Sequence, residues 1–226
     1  MASSARTAQR EEPAPGSQRA VGIRGHRVRN PALAEARRRS ILLAAASVFG
    51  RKGYEAATMD DIAREGGITK GCLYYYFTSK EDIFVEIRTT ALEDALARLE
   101  GLLARGEPPA LTLRRALRDQ VWHMLNSPLE RYANVLATPS TLSEESRRRI
   151  RQLQKRYRAL IASLLAAGMQ EGAFVAGDPK LVTFTLMDAA LGVGWWFQEG
   201  GAWSREAVVE HTVDFLMRAV QGPARR

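Results

Sequence analysis

ITKGCLYYYFTSK, residues 68–80, decides how this chain is read. It sets Tyr74, Tyr75, Tyr76 and Phe77 side by side. On a helix, successive side chains point about 100° apart, so four adjacent rings cover most of the circumference and one core wall cannot bury them all. Leu73 lies one turn before Phe77, so these two share a face and turn inward. Tyr74 and Tyr75 then point away from the core, and Tyr76 falls at the boundary.

Working outward, Thr58 is a good N-cap for "MDDIARE", with Asp61 three residues on in a capping-box position. Gly66-Gly67 ends that helix, and Thr69 can cap the next. Two short helices separated by a turn of about three residues containing glycine form a helix-turn-helix pattern. A longer helix precedes them. It starts at Asn30-Pro31, carries Ile41, Leu42, Ala45, Val48 and Phe49 as an inward stripe, and closes at Gly53. The second short helix presents Thr69, Lys70 and Gly71 at its start and tyrosines on its outer side. Lysine, hydroxyls and a helix N-terminus suit phosphate oxygens, and a tyrosine edge packs on a thymine methyl. Gly71 lets the backbone approach closely. The competing reading, that all four rings are interhelical packing, is accepted for Leu73 and Phe77. For Tyr74 and Tyr75 it leaves the outer face of a surface helix covering nothing.

Beyond Lys80 the period is helical throughout: 80 to about 104, 111–126, 129–137, 144–170, 179–198 and 205–220, with breaks at Ser127-Pro128, Thr138-Pro139, Gly172, Gly177 to Pro179 and Gly200-Gly201. No alternating strand or internal repeat is visible, so the chain reads as all-α. Three units are expected: a disordered basic tail over 1–29, a helix-turn-helix unit over 30–82, and a helical bundle over 83–226.

The 226 residues carry a formal charge of +8, and its location matters more than its size. Residues 1–40 hold nine Arg against three acids, while 81–226 hold nineteen bases against eighteen acids. A basic end on a near-neutral body fits a polyanionic partner, though a solvated tail that aids solubility gives the same composition. The single Cys72 excludes an internal disulfide framework. No secretory h-region and no bilayer-length apolar run are present, so a cytoplasmic protein without membrane contact is expected. Cys72 is read as filling an alanine-sized gap rather than as a redox switch.

The stretch 41–84 resembles the DNA-binding domain of the TetR family of transcriptional regulators. The resemblance rests on Ala44-Ala45, Phe49, Gly53-Tyr54, Thr58, Ile62-Ala63, Gly67-Ile68, Lys70-Gly71, Leu73-Tyr74, Tyr76-Phe77 and Ser79-Lys80. It covers about a fifth of the chain, densely and with matching spacing. It implies a homodimer that binds double-stranded operator DNA through the second short helix and is released by a small ligand in the C-terminal domain. Carried over residue by residue, the DNA-contacting positions are Thr58, Thr69, Lys70, Gly71, Tyr74, Tyr75, Tyr76 and Lys80. Two positions depart from the pattern: Cys72, where alanine is common, and Tyr75, where members vary.

The segment "PKLVTFTLMDAALGVGWW" is apolar nearly all round, which implies burial on both sides. One side is assigned to a second subunit, with Leu186, Ala189, Val193 and Trp196 in contact and Ala190, Gly192 and Gly194 permitting close approach. Val209, Val213 and Leu216 of the last helix complete an isologous four-helix contact. For a ligand, polar groups among aromatics are sought: Trp122, His123, Met124, Tyr132, Tyr157, Phe184, Asp188 and Trp195. Each is individually an ordinary core residue, and together they permit an apolar pocket with a few polar anchors. The run 147–158, RRRIRQLQKRYR, is a basic face that solvent alone could explain. The later part, 147–174 and then 192–220, loosely resembles a TetR branch responding to acyl-CoA thioesters and related lipid or aromatic acids, in which those arginines would meet a nucleotide phosphate.

The main alternative, an enzyme, finds no support in motif. His26, His123 and His211 are isolated, and no phosphate loop, nucleophile elbow, metal set or cofactor motif occurs. A DNA-binding protein without an effector stays open, although so large a C-terminal domain exceeds what dimerisation needs. Operator, regulated genes, effector and sign of regulation are not written in the sequence.

Overall fold

A computed structural model describes residues 31–221, so the expected basic tail lies outside the described residues. Among these residues there are nine α-helices and no strand: α1 (Pro31–Lys52), α2 (Met59–Glu65), α3 (Lys70–Tyr76), α4 (Lys80–Leu103), α5 (Pro109–Asn126), α6 (Pro128–Val135), α7 (Glu144–Gln170), α8 (Pro179–Trp196) and α9 (Arg205–Gln221). The all-α expectation holds.

Local chemistry sets the first boundaries. Gly53 takes a left-handed φ of 77° and its N–H returns to the Phe49 carbonyl at 2.9 Å, ending α1. Thr58 and Asp61 form a reciprocal capping box at the start of α2. Gly67, with φ 59°, makes the turn into α3, where a side chain would be strained. Ser79 and Asp82 repeat the capping box at α4.

Two cores result. The first gathers α1, α2 and α3 on Phe49, Ile62, Leu73, Phe77 and Phe84, all essentially sealed from solvent. Burying Leu73 and Phe77 supplies about 1.5–3 kcal/mol each, which fixes the roll of α3. Phe49, Tyr54 and Phe84 form an aromatic cluster with centroids 5.2–6.0 Å apart. The second core packs α5 against α7, α8 and α9.

α4 runs through both. Ile83, Phe84, Ile87 and Ala91 belong to the first core, and Ala95, Leu96 and Leu99 to the second. α6 is a second bridge: Leu129 and Ala133 enter the first core, and the Tyr132 ring lies over Gly50 of α1. The N-cap of α7 clamps the first turn of α4, since Ser143 donates to Glu81 from its N–H at 3.0 Å and its hydroxyl at 2.6 Å.

α8 departs from expectation. Its buried side carries Thr183, Leu186, Met187, Ala190, Val193 and Gly194. Its exposed side carries Leu181, Phe184, Thr185, Asp188, Ala189, Trp195 and Trp196. Leu186 and Val193, assigned above to a partner subunit, therefore sit in the chain's own core, as do Val209, Val213 and Leu216 of α9. The Met124 side chain fills the space a Cβ on Gly194 would need, 1.9 Å away, so that glycine serves α5 rather than a partner. Of the expected contact set, Ala189 and Trp196 remain on the outside. The physical reason is that an all-apolar helix offers no polar stripe to orient it, so its roll is decided by fit against α5 and α7.

Candidate nucleic-acid interface and effector cavity

α3 is held to the first core by two sealed anchors, Leu73 and the C-cap Phe77, with Tyr76 packed partly against it. Thr69 caps it, accepting from the Cys72 N–H at 3.2 Å. Lys70 is exposed and holds Asp60 of α2 at 2.8 Å. That carboxylate raises the lysine pKa, so the ammonium is charged at any working pH. A phosphate would compete for it, at little cost for an exposed pair. Nothing lies within 4 Å of a Cβ built on Gly71, so the start of α3 is uncovered. Tyr74 is exposed, whereas Tyr75 and Tyr76 are half-buried and meet edge to face at 5.2 Å. Tyr75 is thus less outward than its spacing implies, because the neighbouring ring shields one side.

Two further positions of the expected set are committed within the protein. Thr58 spends its hydroxyl on the capping box: it donates to Asp61 at 2.8 Å and accepts from the Asp61 N–H at 3.1 Å. Lys80 corrects the expectation outright. Its ammonium donates to the carbonyls of Tyr54, Glu55 and Ala57 at 2.8, 3.0 and 3.2 Å. It also lies 4.6 Å from the Tyr54 ring centroid. Three protons meet three carbonyls, so Lys80 organises the α1–α2 loop and has no donor left for a phosphate.

A cavity of about 80 Å³ lies between α4, α5, α6, α7 and α8. Its apolar wall includes Ala91, Leu92, Ala95, Met187 and Leu191, and its polar wall includes Arg88, Gln120, Glu130 and Tyr157. Gln154, Arg158 and Asp188 stand at the solvent side. The buried Tyr157 hydroxyl donates to Gln120 Oε1 at 2.9 Å, and burial pushes its pKa up. Glu130 is nearly sealed and bonded by Arg98 at 2.9 Å; burial raises its pKa against the pull of that guanidinium. Arg88 is only 8% exposed, and one of its terminal nitrogens donates to the carbonyls of Ala133 and Leu136 at the end of α6. Burial depresses its pKa, with no neighbouring anion to offset the effect.

Of the expected pocket residues, Tyr157 and Asp188 line this cavity. His123 stands behind its wall, 3.5 Å from both Asp119 and Glu130. The others do not line it. Met124 is core, Tyr132 belongs to the first core, and Trp122 borders a separate surface groove with Leu102 and Arg118. Phe184 and Trp195 sit on the outer side of α8, with the Arg158 guanidinium 5.1 Å over the Phe184 ring. These residues were chosen as aromatics, and aromatics on α5 and α8 turn out to be surface. Arg88, Gln120 and Glu130 were missed. A signal existed for Arg88, which shares a helical face with Phe84, Ala91 and Ala95.

Among the described residues no helix is long and apolar enough to cross a membrane, and no group of three or more His, Cys, Asp or Glu side chains is placed to hold a metal ion.

A short capped pair of helices presenting α3, set under a helical bundle with its own cavity, defines a one-component DNA-binding regulator. The chain belongs to the TetR family: residues 41–87 match the bacterial regulatory proteins, tetR family, and residues 106–220 match the tetracyclin repressor-like C-terminal domain. It is a DNA-binding transcriptional regulator. It is 28% identical over 189 residues to the transcriptional repressor KstR2 of Rhodococcus jostii RHA1, covering 83% of this chain and 92% of that protein. A TetR/AcrR-family regulator of Thermobifida fusca YX-ER1 is 32% identical, with a TM-score of 0.63 over 84% of this chain and all of that one. AibR, solved with isovaleryl coenzyme A and operator DNA, shares the fold at 24% identity, with a TM-score of 0.69 over 82% of this chain and 98% of that chain.

Proposed function

We propose that the chain is a homodimeric repressor whose α3 helices read an operator and whose cavity admits a small acyl-type effector that releases the DNA. The observation that carries this reading is the path of α4. It leaves α3 at Lys80, passes the cavity at Arg88, Ala91, Leu92 and Ala95, and packs in both cores on the way. α6 adds a second link from the cavity wall at Glu130 to α1 at Tyr132. Filling the cavity pushes on α4 and α6 together and so re-aims α3.

The units 30–82 and 83–226 are proposed as reading head and sensor, joined through α4 rather than by a linker. DNA contacts are assigned to Thr69, Lys70, Gly71 and Tyr74, with Tyr75 and Tyr76 at the rim and Thr58 acting through the α2 cap. Two α3 helices must stand about 34–36 Å apart to meet successive major grooves, so a shift of a few ångströms costs both half-sites. Dimerisation is assigned to the outer side of α8 and α9, where Trp195, Trp196, Trp203 and Phe215 are exposed. Trp196 and Trp203 meet edge to face at 6.5 Å there. Exposed aromatics in such number on two neighbouring elements fit a subunit contact. An acyl-type effector is supported by the apolar wall, by Arg158 of α7 near the mouth, and by the AibR ligand in the same fold.

An effector acts only through unequal affinity for the two states, and linkage makes the effect reciprocal. Isothermal titration of acyl-CoA thioesters, with and without operator, tests the proposal. Operator should weaken the thioester by the factor by which the thioester weakens operator. Equal affinities in both titrations would leave a DNA-binding protein whose cavity does not switch it.

A further inference from the structure

The cavity contains one buried cation that no anion answers among the described residues. Arg88 points from α4 into the cavity wall at 8% exposure. Of its five N–H donors, only those on one terminal nitrogen are used, toward the carbonyls of Ala133 and Leu136. The Nε and the second terminal nitrogen make no hydrogen bond, and Arg88 has no ion pair among the described residues. Yet the only sealed side-chain nitrogen or oxygen without a partner there is Arg205 Nε. The unused edge of Arg88 is therefore not walled in, and Arg88 is part of the cavity lining. The acids nearby are otherwise engaged or placed. Glu130 is held by Arg98 at 2.9 Å, and Asp188 is exposed at the mouth.

A buried guanidinium without a carboxylate is costly to maintain, whereas the same group facing a carboxylate forms two parallel charge-assisted hydrogen bonds. We propose that the inner end of the effector is a carboxylate on a short carbon chain, received by the free edge of Arg88. This rests on the reading of the cavity as the effector site and adds the class of ligand. The chain would lie along Ala91, Leu92, Ala95, Met187 and Leu191. The volume of about 80 Å³ is roughly half that of a cavity known to hold benzene, which limits the buried part to a few carbons. The link to DNA follows from the same side chain. Its bonded nitrogen ties α4 to the end of α6, and a carboxylate drawing the free edge toward the cavity shifts the guanidinium and strains that tie.

Two sources present this chemistry: a free short carboxylic acid, and a coenzyme A thioester whose acyl chain ends in a carboxylate. The test uses matched pairs on the full-length protein, isobutyrate against isobutyramide and succinyl-CoA against butyryl-CoA. Binding is read by calorimetry and by release of labelled operator. In one pair at least, the charged member should bind tenfold or more tightly than its neutral twin, and that pair identifies the source. Arg88→Gln should bring the twins to parity. Arg88→Lys, which keeps the charge and a donor for α6, should retain part of the preference and covers the case of a poorly folded glutamine variant. Ala95→Leu, which fills the cavity, should abolish binding of both members. No preference for the charged member in either pair, or a preference that survives Arg88→Gln, overturns the proposal. Ligands that bind Ala95→Leu unchanged overturn the cavity reading as well, so the two failures are told apart.

Discussion

Replacing Trp196 with glutamate should break the proposed dimer. Trp195 is 67% exposed in the single chain, Trp196 51% and Phe215 65%. An aromatic side chain buries about 150–250 Å² in full, so each leaves on the order of 100–150 Å² for a partner to cover. At about 25 cal/mol per Å², that is about 2.5–3.5 kcal/mol per ring. In an isologous contact each substitution occurs twice, giving a gross loss of about 5–7 kcal/mol. Association recovers only part of buried area as affinity, so about 3 kcal/mol net, or a hundred-fold weaker dimer, is the working figure. A buried glutamate adds desolvation to that. Sedimentation velocity over a range of protein concentrations measures it, with Trp122→Glu in the separate surface groove as control. Phe215→Glu should act in the same direction. An unchanged dimer constant for both Trp196→Glu and Phe215→Glu would refute the assignment of this face and of the α8 roll that exposes it.

Lys70→Ala should cost less than about 1 kcal/mol of stability, because its pair with Asp60 is exposed, while reducing the salt slope of operator binding by about one. Tyr74→Ala should weaken operator binding with little change in melting temperature; a large drop would mean its ring is core. Lys80→Met should do the reverse, lowering stability on the order of 2 kcal/mol through three lost carbonyl bonds and leaving the salt slope unchanged. A slope reduced by one in that variant would restore Lys80 to the phosphate contacts. Asp61 is held down at about 2 by Lys52 first and by the Thr58 hydroxyl. A folded pKa below the ordinary 3.8 means its contribution is complete above that value and is lost as pH falls toward 2. Circular dichroism of an acid titration should show the Asp61→Asn variant already lacking that increment of stability at neutral pH and losing less between pH 4 and 2.

What the sequence determined by itself is the half of the molecule in which local signals agree. Thr58 with Asp61, Ser79 with Asp82, the left-handed Gly53 and Gly67, and the four-residue spacing of Leu73 and Phe77 each act within one turn of chain, so no distant partner is needed to read them. They fix α2 and α3, and with them the helix-turn-helix. Tertiary structure decided the rest where local contrast vanishes. α8 is apolar all round, so periodicity cannot orient it; only its fit to α5 and α7 puts Leu186 and Val193 inside and Trp195 and Trp196 outside. Lys80 resembled a DNA contact until the α1–α2 loop brought three carbonyls to its ammonium. Arg88 and Glu130 lie 42 positions apart in the chain and share one cavity because α6 packs across α4. A helical period marks which side of α4 is inward, but not that an arginine on that side faces empty space; that depends on which side chains the neighbouring helices happen to place there.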